Sequence, residues 1–599
     1  MKRIKKYNYR KKLPGQLRLL LAAVLVLLQI GLIFYLYYWL RSSALGVHIF
    51  FQFLAVIMAI FVVRYQRSSA YATPWVIILL IAPAAGVILY ILWGRQSIFK
   101  ESRRVLKNYL ESENYSQDSI DSLSQLPGLR QIPYYSAPNI AIKTQRVAPA
   151  AKLREFKSEE NLPAAYYRLP LAARFLINWG YPLYQGNELE YFSTGQSQFE
   201  QMFADLRQAK KFIFAEYYIV NEGRIWDEFT SILCERRADG VEVRLLIDDF
   251  ACAGRISRLM LEPLEAAGIT ILRFNPILRY TSRMYINYRN HQKICLIDGD
   301  IAYYSGTNLA DEYANIYQPF GYWKDNALKV RGAAAWEGLR QFLMMWHLAG
   351  GSSPQDMLKY QPSAKFPLRL AAWDSLLESK VIDKHGRLTK TGQDYLEELY
   401  GKEYSDSAEA RRIAKPNSFV IPFWDGPVNN PHNIVEDLYL AMINGAKKNI
   451  YISTPYLIID EKFTRALARS ASSGIDVRII CPGIPDKKTV NQTTKSNYEP
   501  LLRAGVRVYE YSPGFNHEKT LIVDSKEAVT GSINFDYRSF NLNYENGIFI
   551  YDTELVVNMT EDFLKSVTKS KEIKLKEWLK RPIYQKFIQE FLRIFAPLA

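Results

Sequence analysis

Cysteine and histidine are scarce in this chain, at 4 and 6 of 599 residues. Cys234, Cys252, Cys295 and Cys481 form no Cys-x-x-Cys pair and no zinc-like cluster. That sets aside a structural metal site and a disulfide framework, and leaves small buried apolar residues in a reducing compartment. No convincing metal cluster stands out elsewhere, so neither a metal nor another cofactor is expected. Acidic charge is also in short supply: 60 Asp and Glu face 76 Lys and Arg, a formal charge of +16. The excess points to an anionic partner, and nucleic acid, an acidic membrane surface and a phospholipid substrate all satisfy it. Part of it sits in a basic tail, Met1 to Lys12, which has the alternative role of orienting a membrane segment.

Long apolar runs, by contrast, are present. Leu19 to Leu40 is apolar apart from Gln29 and has the length of a membrane span. Val47 to Val63 is shorter and carries His48 and Gln52, and Pro74 to Trp93 follows with Tyr71, Trp75, Tyr90 and Trp93 where interfacial aromatic belts fall. A cleaved signal peptide is not expected, because the first run is long, lacks a small-residue cleavage site and precedes two more. Pro83 and the Ala-Ala-Gly after it are read as a close-packing device rather than a kink. The expectation is a multi-pass protein of the cell membrane with two or three transmembrane helices. If all three runs cross, Lys and Arg counts put the following body outside; if one turns back, the body is cytoplasmic.

The rest of the chain is organised around Asn290 to Asn308, whose polar grammar returns at Asn516 to Asn534. Both copies read His-x-Lys-x4-Asp, as His291, Lys293, Asp298 and His517, Lys519, Asp524, followed by a Gly-Thr-Asn or Gly-Ser-x-Asn turn. Ile294 to Ile297 and Thr520 to Val523 have the length and composition of buried strands. Strand alternation places each histidine on one face with its lysine, and each aspartate at opposite parity near the strand end. An imidazole beside an ammonium suits a phosphate ester: the ammonium neutralises oxygen charge while the imidazole attacks phosphorus or moves a proton. Of the other histidines, His48, His347, His385 and His432 lack the Lys and Asp and are read as structural.

Around each motif the landmarks repeat in order. Ala446-Lys-Lys-Asn-Ile-Tyr answers Ala209-Lys-Lys-Phe-Ile-Phe, Gly474-Ile-Asp-Val-Arg answers Gly240-Val-Glu-Val-Arg, and Ala504-Gly-Val-Arg-Val answers Ala267-Gly-Ile-Thr-Ile. This is a long-period duplication of one α/β unit. Helices expected near Ala172 to Trp179, Gln198 to Ala209 and Ile225 to Ala238 alternate with strands Phe212 to Val220 and Val241 to Ile247, which implies a mostly parallel sheet covered on both faces. The division expected is a basic tail and membrane helices over 1–98, a connector over 99–160, a first half over 161–351, an insertion over 352–417, a second half over 418–580, and an amphipathic segment over 581–599. Leu368 to Tyr400 reads as helical, with no function attached. Glu216, in an otherwise apolar strand, is either a buried structural ion pair or a site residue; Tyr217, Tyr456 and Arg538 are similarly open.

The paired His-x-Lys-x4-Asp motifs resemble those of the phospholipase D superfamily. With Glu216-Tyr-Tyr-Ile, Asn308-Leu-Ala-Asp-Glu-Tyr, Tyr322-Trp-Lys-Asp, Thr454-Pro-Tyr, Asn543-Tyr-Glu and the apolar runs, the chain is similar to bacterial cardiolipin synthases. The resemblance implies two α/β/α sandwich halves of phospholipase D type forming one catalytic body. It also implies phosphatidyl transfer between two phosphatidylglycerol molecules, through a phosphatidyl-histidine and with release of glycerol, giving cardiolipin. Carried onto this sequence, His291 is the expected nucleophile and His517 the acid/base. Asp325 and Glu545 then orient the imidazoles, each downstream of a histidine, and Asn308, Asn534, Thr307 and Ser532 donate to phosphoryl oxygens. The implied partners are phosphatidylglycerol, cardiolipin and anionic membrane lipids; nucleic acid is not expected and oligomeric state is left open. The rivals are a phospholipase D using water or another alcohol, and a nucleic-acid phosphodiesterase.

Overall fold

The structure, a computed structural model, describes residues 44–65, 69–94, 169–276, 288–351, 419–427 and 433–598, save three positions within them (180, 185 and 186), with a few isolated residues besides. The expected connector, nearly all of the insertion with Leu368 to Tyr400, and almost all of the first apolar run lie outside these residues.

Two mixed sheets carry the body. In the first half β1 (Glu188–Phe192), β2 (Phe212–Tyr217), β3 (Glu242–Asp248), β4 (Thr270–Phe274), β5 (Ile294–Ile297) and β6 (Ile301–Ser305) precede β7 (Tyr322–Lys324) and β8 (Ala327–Arg331). The sheet order is β1-β8-β6-β5-β2-β3-β4. The second half supplies β9 (Phe419–Asp425), β10 (Asn449–Ser453), β11 (Asp476–Pro482), β12 (Arg507–Tyr511), β13 (Gly514–Asn516), β14 (Thr520–Val523), β15 (Glu527–Gly531), β16 (Glu545–Tyr551) and β17 (Ser570–Ile573). Its order, β9-β16-β15-β14-β10-β11-β12-β17, repeats the first with one strand added.

Within these two sheets only β2-β3-β4 and β10-β11-β12 run parallel; the remaining neighbours in them are antiparallel, which corrects the mostly parallel sheet expected from helix–strand alternation. The reason is local. Asp298 and Gly299 take φ of 55° and 78°, the left-handed pair of a tight hairpin, so β5 must return beside itself as β6. Asp524 and Ser525, with φ of 55° and 54°, turn β14 into β15 in the same way.

Strands buried on both faces explain why the sequence reads apolar rather than alternating there; every residue of β2, β5, β6 and β14 is buried. A core shared by the halves joins Phe214, Leu296 and Tyr304 of the first sheet to Ile522, Ala528 and Ile548 of the second. Helices Ala335–Leu348 and Glu554–Thr568 contribute Phe342, Met345, Met559 and Phe563 to it. Each outer face has its own helix layer and core. Helix Leu171–Asn178, expected in the first half, instead seats Ala172 and Leu176 in the outer core of the second.

The apolar runs depart most from expectation. Val47 to Val63 lies in helix Ala44–Tyr65. Pro74 to Trp93 is not one continuous span: helix Ser69–Ile81 ends at Ala82, and helix Pro83–Leu89 doubles back against it. A Cβ on Gly86 would lie 2.8 Å from the carbonyl oxygen of Ile78, an approach that a straight helix never makes between residues eight apart and that only glycine permits. Pro83 starts the second helix, its missing N–H costing nothing at that position. Among the described residues no helix is long and apolar enough to cross a membrane. The hairpin docks on the body by stacking Tyr71 on Tyr537, ring centroids 6.1 Å apart, while Phe50, Phe53, Ile60 and Val63 stay exposed.

Candidate active site

The ends of β5 and β14 nearest their histidines meet where the halves interlock. Gly514 to Asn516 of β13 pairs in parallel with Tyr322 to Lys324 of β7 across the two halves. Gly514 is required there, because a Cβ would stand 2.3 Å from the Tyr322 carbonyl oxygen. The His517 amide donates to the Lys324 carbonyl at 2.7 Å, and the His291 amide to the Tyr544 carbonyl at 2.9 Å. Each histidine is thus tied through its backbone to the residue just before the other half's acid.

The side chains follow the same exchange. His291 Nδ1 lies 2.9 Å from both carboxylate oxygens of Glu545, and His517 Nδ1 lies 2.6 Å from Asp325 Oδ2. The sequence reading gave each histidine the acid next downstream, Asp325 for His291 and Glu545 for His517; the structure corrects both, because each histidine takes its acid from the other half. Neither half alone contains a histidine with its carboxylate. Lys519 Nζ also approaches His517 Nδ1, at 3.0 Å. A ring N–H donating to a carboxylate has no lone pair left for an ammonium, so the shorter Asp325 contact sets the tautomer. With Nδ1 occupied in both rings, Nε2 is the nitrogen available for chemistry.

Each lysine folds back so that its ammonium donates to the carbonyl of its own histidine, Lys293 to His291 and Lys519 to His517. Burial pulls Lys293 down to about 7 and Lys519 to about 8. Burial likewise lowers His291 to about 4, against the pull of Glu545, and sets His517 well below its ordinary value, helped by Lys519, Lys293 and His291. Each motif therefore lies within the electrostatic reach of the other. Against a burial that would raise it, His291, Lys293 and Ser532 hold Glu545 below the usual carboxylate range; Asp325 is pushed by burial up to about 6 despite Lys519, the Asn326 amide and Lys293.

The two acids are not equivalent. Strand register pairs Gly531 with Gly547 and Ser305 with Ala327, so Ser532 in the second half occupies the place of Gly306 in the first. Ser532 Oγ donates to Glu545, and Asn543 Nδ2 adds a bond at 3.2 Å. Gly306 offers no hydroxyl: a Cβ there would meet Asp325 Oδ1 at 2.3 Å. Matching Thr307 to Ser532 by motif was one residue out. Thr307 Oγ1 donates instead to Gln198 Oε1 at 2.6 Å, and Asn308 Nδ2 to the Tyr313 hydroxyl at 2.6 Å, so these two bonds stay inside the first half. Asn534 lies buried beside the short helix Tyr537–Asn541, with its amide N–H on Ser539 Oγ at 3.2 Å.

Asp298 and Asp524 stand apart from this cluster. Asp298 accepts from the amides of Lys210, Lys211 and Phe212 at 2.8, 2.7 and 3.0 Å, and Asp524 from those of Lys447, Lys448 and Asn449. Both fasten the loop that enters the neighbouring strand, which is what their strand parity implied; grouping them with the reacting residues is corrected accordingly. Glu216 accepts from Asn290 Nδ2, and burial raises it to about 8 despite Asn290 and Lys293, so at neutral pH it is mostly protonated and is no ion-pair partner. Tyr217 fills core beside Phe229, and Tyr456 donates to Asp486 at 2.7 Å.

Several supporting residues escaped the sequence reading. Asp248 accepts from Arg289 Nε at 3.1 Å and from the Asn290 amide at 3.0 Å, anchoring the backbone just before His291. Lys324, buried, bridges Glu518 and Asp562 at 2.8 and 2.6 Å just before Asp325. Tyr218 stands edge-on to His291 at 4.8 Å, and Tyr313 and Trp323 wall His517 at 5.4 and 5.2 Å. The recurrence of Asn immediately before each histidine, at Asn290 and Asn516, was the available signal for this layer. Among the described residues no group of His, Cys, Asp and Glu is disposed to hold a metal ion.

A family model described as "Cardiolipin synthase, PLD-like domain" matches residues 202–318 and 439–567, one segment in each half, and one described as "Phospholipase_D-nuclease N-terminal" matches 53–95. A protein of Bacillus anthracis named cardiolipin synthase 1 is 30% identical over 539 residues, covering 90% of this chain and 91% of its own length. The chain belongs to the cardiolipin synthase family of phospholipase D-like enzymes. A cardiolipin synthase of Geobacillus kaustophilus is 28% identical, covering 91% of this chain and 92% of the relative. An uncharacterised protein of Streptococcus mutans is 31% identical, covering 90% and 99%. In this family the two α/β halves described above are the phospholipase D-like unit, and the enzyme is a phospholipid phosphatidyltransferase.

Proposed function

We propose that this cardiolipin synthase moves a phosphatidyl group from one phosphatidylglycerol to a second and releases glycerol, with His291 as nucleophile and His517 as acid/base. The observation that carries the proposal is the exchange of carboxylates, His291 with Glu545 and His517 with Asp325, which makes one two-histidine centre from both halves. His291 Nε2 attacks phosphorus while His517, which takes up a second ring proton when the anionic diester binds beside it, gives that Nε2 proton to the departing glycerol oxygen. The hydroxyl of a second phosphatidylglycerol then returns that proton to His517 as it displaces His291. Splitting the displacement into two replaces one hard step by two easier ones. Lys293 and Lys519 neutralise the diester's charge. Glu545, held anionic, supports the cationic phospho-imidazole, which is why the nucleophile is assigned to its side.

The test is to incubate purified enzyme in detergent with phosphatidylglycerol and follow lipids and glycerol. Cardiolipin and glycerol in equal amounts support the reading; phosphatidic acid alone would replace it with hydrolysis.

The depressed lysines give a pH dependence. Above about 7 Lys293 loses its proton, and above about 8 so does Lys519, so the free enzyme loses its hold on the anionic diester as pH rises. On the acid side Asp325 protonates below about 6 and ceases to support His517. The expected kcat/KM profile is a bell between these limits. A rate still climbing past the lysine values would remove the lysines from substrate binding.

Membrane association follows from the family and from the uncovered apolar hairpin. For topology we infer that the doubled-back third run does not cross; if both earlier runs do, the body returns to the side of the basic tail, the cytoplasm by the positive-inside rule. Protease added to intact cells is then expected to spare the body; its digestion would place it outside.

A further inference from the structure

Away from the paired histidines, the carboxyl-terminal segment builds a cavity. It has a volume of about 480 Å³ and lies between helix Lys488–Ser496 and helix Ile583–Phe595, with Lys495, Trp578, Arg581, Gln492 and Gln589 among its walls. Its donors are fixed but not all used. The Arg581 guanidinium lies 3.7 Å over the Trp578 ring and reaches Glu499 through Nη2 at 3.2 Å, which leaves Nε and Nη1 buried without a partner. The Trp578 indole N–H is buried and unpartnered as well, while Gln589, only 3% exposed, donates its Nε2 to Gln492 Oε1 at 2.9 Å. Buried donors left unmatched are costly, so a cavity walled by three of them, Arg581 Nε, Arg581 Nη1 and the Trp578 indole N–H, is built to receive acceptor oxygens.

What surrounds the cavity says where those oxygens come from. Residues 569–599 carry eight Lys and Arg against three Glu. Helix Ile583–Phe595 turns its polar Gln589 inward, while Ile583, Phe587 and Phe591 point away from the body, at 85%, 72% and 52% exposure. Tyr584 and Ile588 border both the cavity and this apolar face. The same helix touches helix Ser69–Ile81 of the apolar hairpin, where Leu80 and Ile81 are exposed. A basic helix with an apolar outer face lies in a bilayer interface, and the cavity behind it is then at headgroup depth.

We propose that this cavity is a binding site for the headgroup phosphate of an anionic phospholipid, separate from the catalytic centre, with Arg581 and the Trp578 indole as its donors and the acyl chains running along Tyr584 and Ile588. The site holds the carboxyl-terminal helix against the bilayer; it requires no turnover and does not depend on which histidine reacts.

The test counts retained lipid. Full-length protein is reconstituted in phosphatidylcholine nanodiscs containing phosphatidylglycerol, extracted mildly, and examined by native mass spectrometry beside Arg581→Gln and beside a Phe587→Ser/Phe591→Ser double variant. The expected result is that wild type keeps a phosphatidylglycerol that both variants lose, that phosphatidylcholine does not replace it, and that all three make cardiolipin at similar kcat in detergent solution. If Arg581→Gln lowers the melting temperature, Trp578→Phe is used instead, which removes the indole N–H and leaves the Glu499 bridge in place. Equal retention in wild type and variants overturns the site. Displacement of the lipid by inorganic phosphate overturns the lipid assignment in favour of a free anion. Because lipid is counted and not turned over, absence of cardiolipin synthesis in wild type would contradict the catalytic reading while leaving this result standing.

Discussion

His517→Asn is expected to lower cardiolipin synthesis from phosphatidylglycerol by roughly 10³-fold, the upper range for a lost general acid/base, and yet to form the covalent intermediate when the donor's leaving group needs no proton. Glycerol departs as a poor alkoxide and waits for a proton from His517. A phosphatidyl ester of p-nitrophenol leaves unaided, so His291 Nε2 still attacks, and the adduct then accumulates because no base activates the acceptor alcohol. The Asn side chain is short but polar, and the backbone tie from residue 517 to the Lys324 carbonyl does not involve the side chain, so the cleft survives the change. The measurement is a burst of nitrophenol followed by peptide mass mapping. A phosphatidyl mass on the peptide containing His291 is the expected result. No burst, with an adduct appearing instead on His517 in His291→Asn, would reverse the two roles.

Much of this centre was legible before any coordinates, and what was hidden shared a cause. The repeated His-x-Lys-x4-Asp grammar identified both imidazole and ammonium pairs, since spacing within one strand end is local information. Strand parity similarly separated Asp298 and Asp524 from the histidines, and three backbone amides on each aspartate give that parity its purpose. Local reasoning stopped at contacts between halves. A sequence read in order pairs a histidine with the acid that follows it, whereas the interlocked strands β7 and β13 hand Asp325 to His517. The same limit hid the shift of register that sets Ser532 against Gly306: the motifs align by letter at Gly-Thr and Gly-Ser, and only the ladder between β6 and β8 or between β15 and β16 counts the residues. The third apolar run failed for a different reason. Composition scores apolar length, but Ala82 and Pro83 break it in a way that only the close approach of Gly86 to Ile78 reveals.

That register shift yields the sharper prediction, because it makes the two acids chemically unequal. In Glu545→Gln the amide presents N–H groups to His291 Nδ1, or a carbonyl that no longer carries charge. The ring is then driven toward the tautomer whose Nε2 bears the hydrogen and has no lone pair for phosphorus. A loss of about 10³-fold in kcat is expected, by analogy with the orienting carboxylate of a serine-protease triad. Asp325→Asn disturbs His517 in the same manner and is expected to be about as slow on phosphatidylglycerol. The p-nitrophenyl donor separates them: it bypasses His517, so the burst returns in Asp325→Asn but stays slow in Glu545→Gln, where the nucleophile itself is impaired. Ser532→Ala falls between. It removes the hydroxyl donor that helps hold Glu545 below its ordinary value, so a loss of about tenfold is expected, one charge-assisted hydrogen bond at about 1.5 kcal/mol. The burst with the p-nitrophenyl donor slows in step, because the acid behind the nucleophile is the one affected. An effect on stability alone would lower the melting temperature and leave the burst rate unchanged. Equal bursts in Glu545→Gln and Asp325→Asn would mean that the halves share the nucleophile's role.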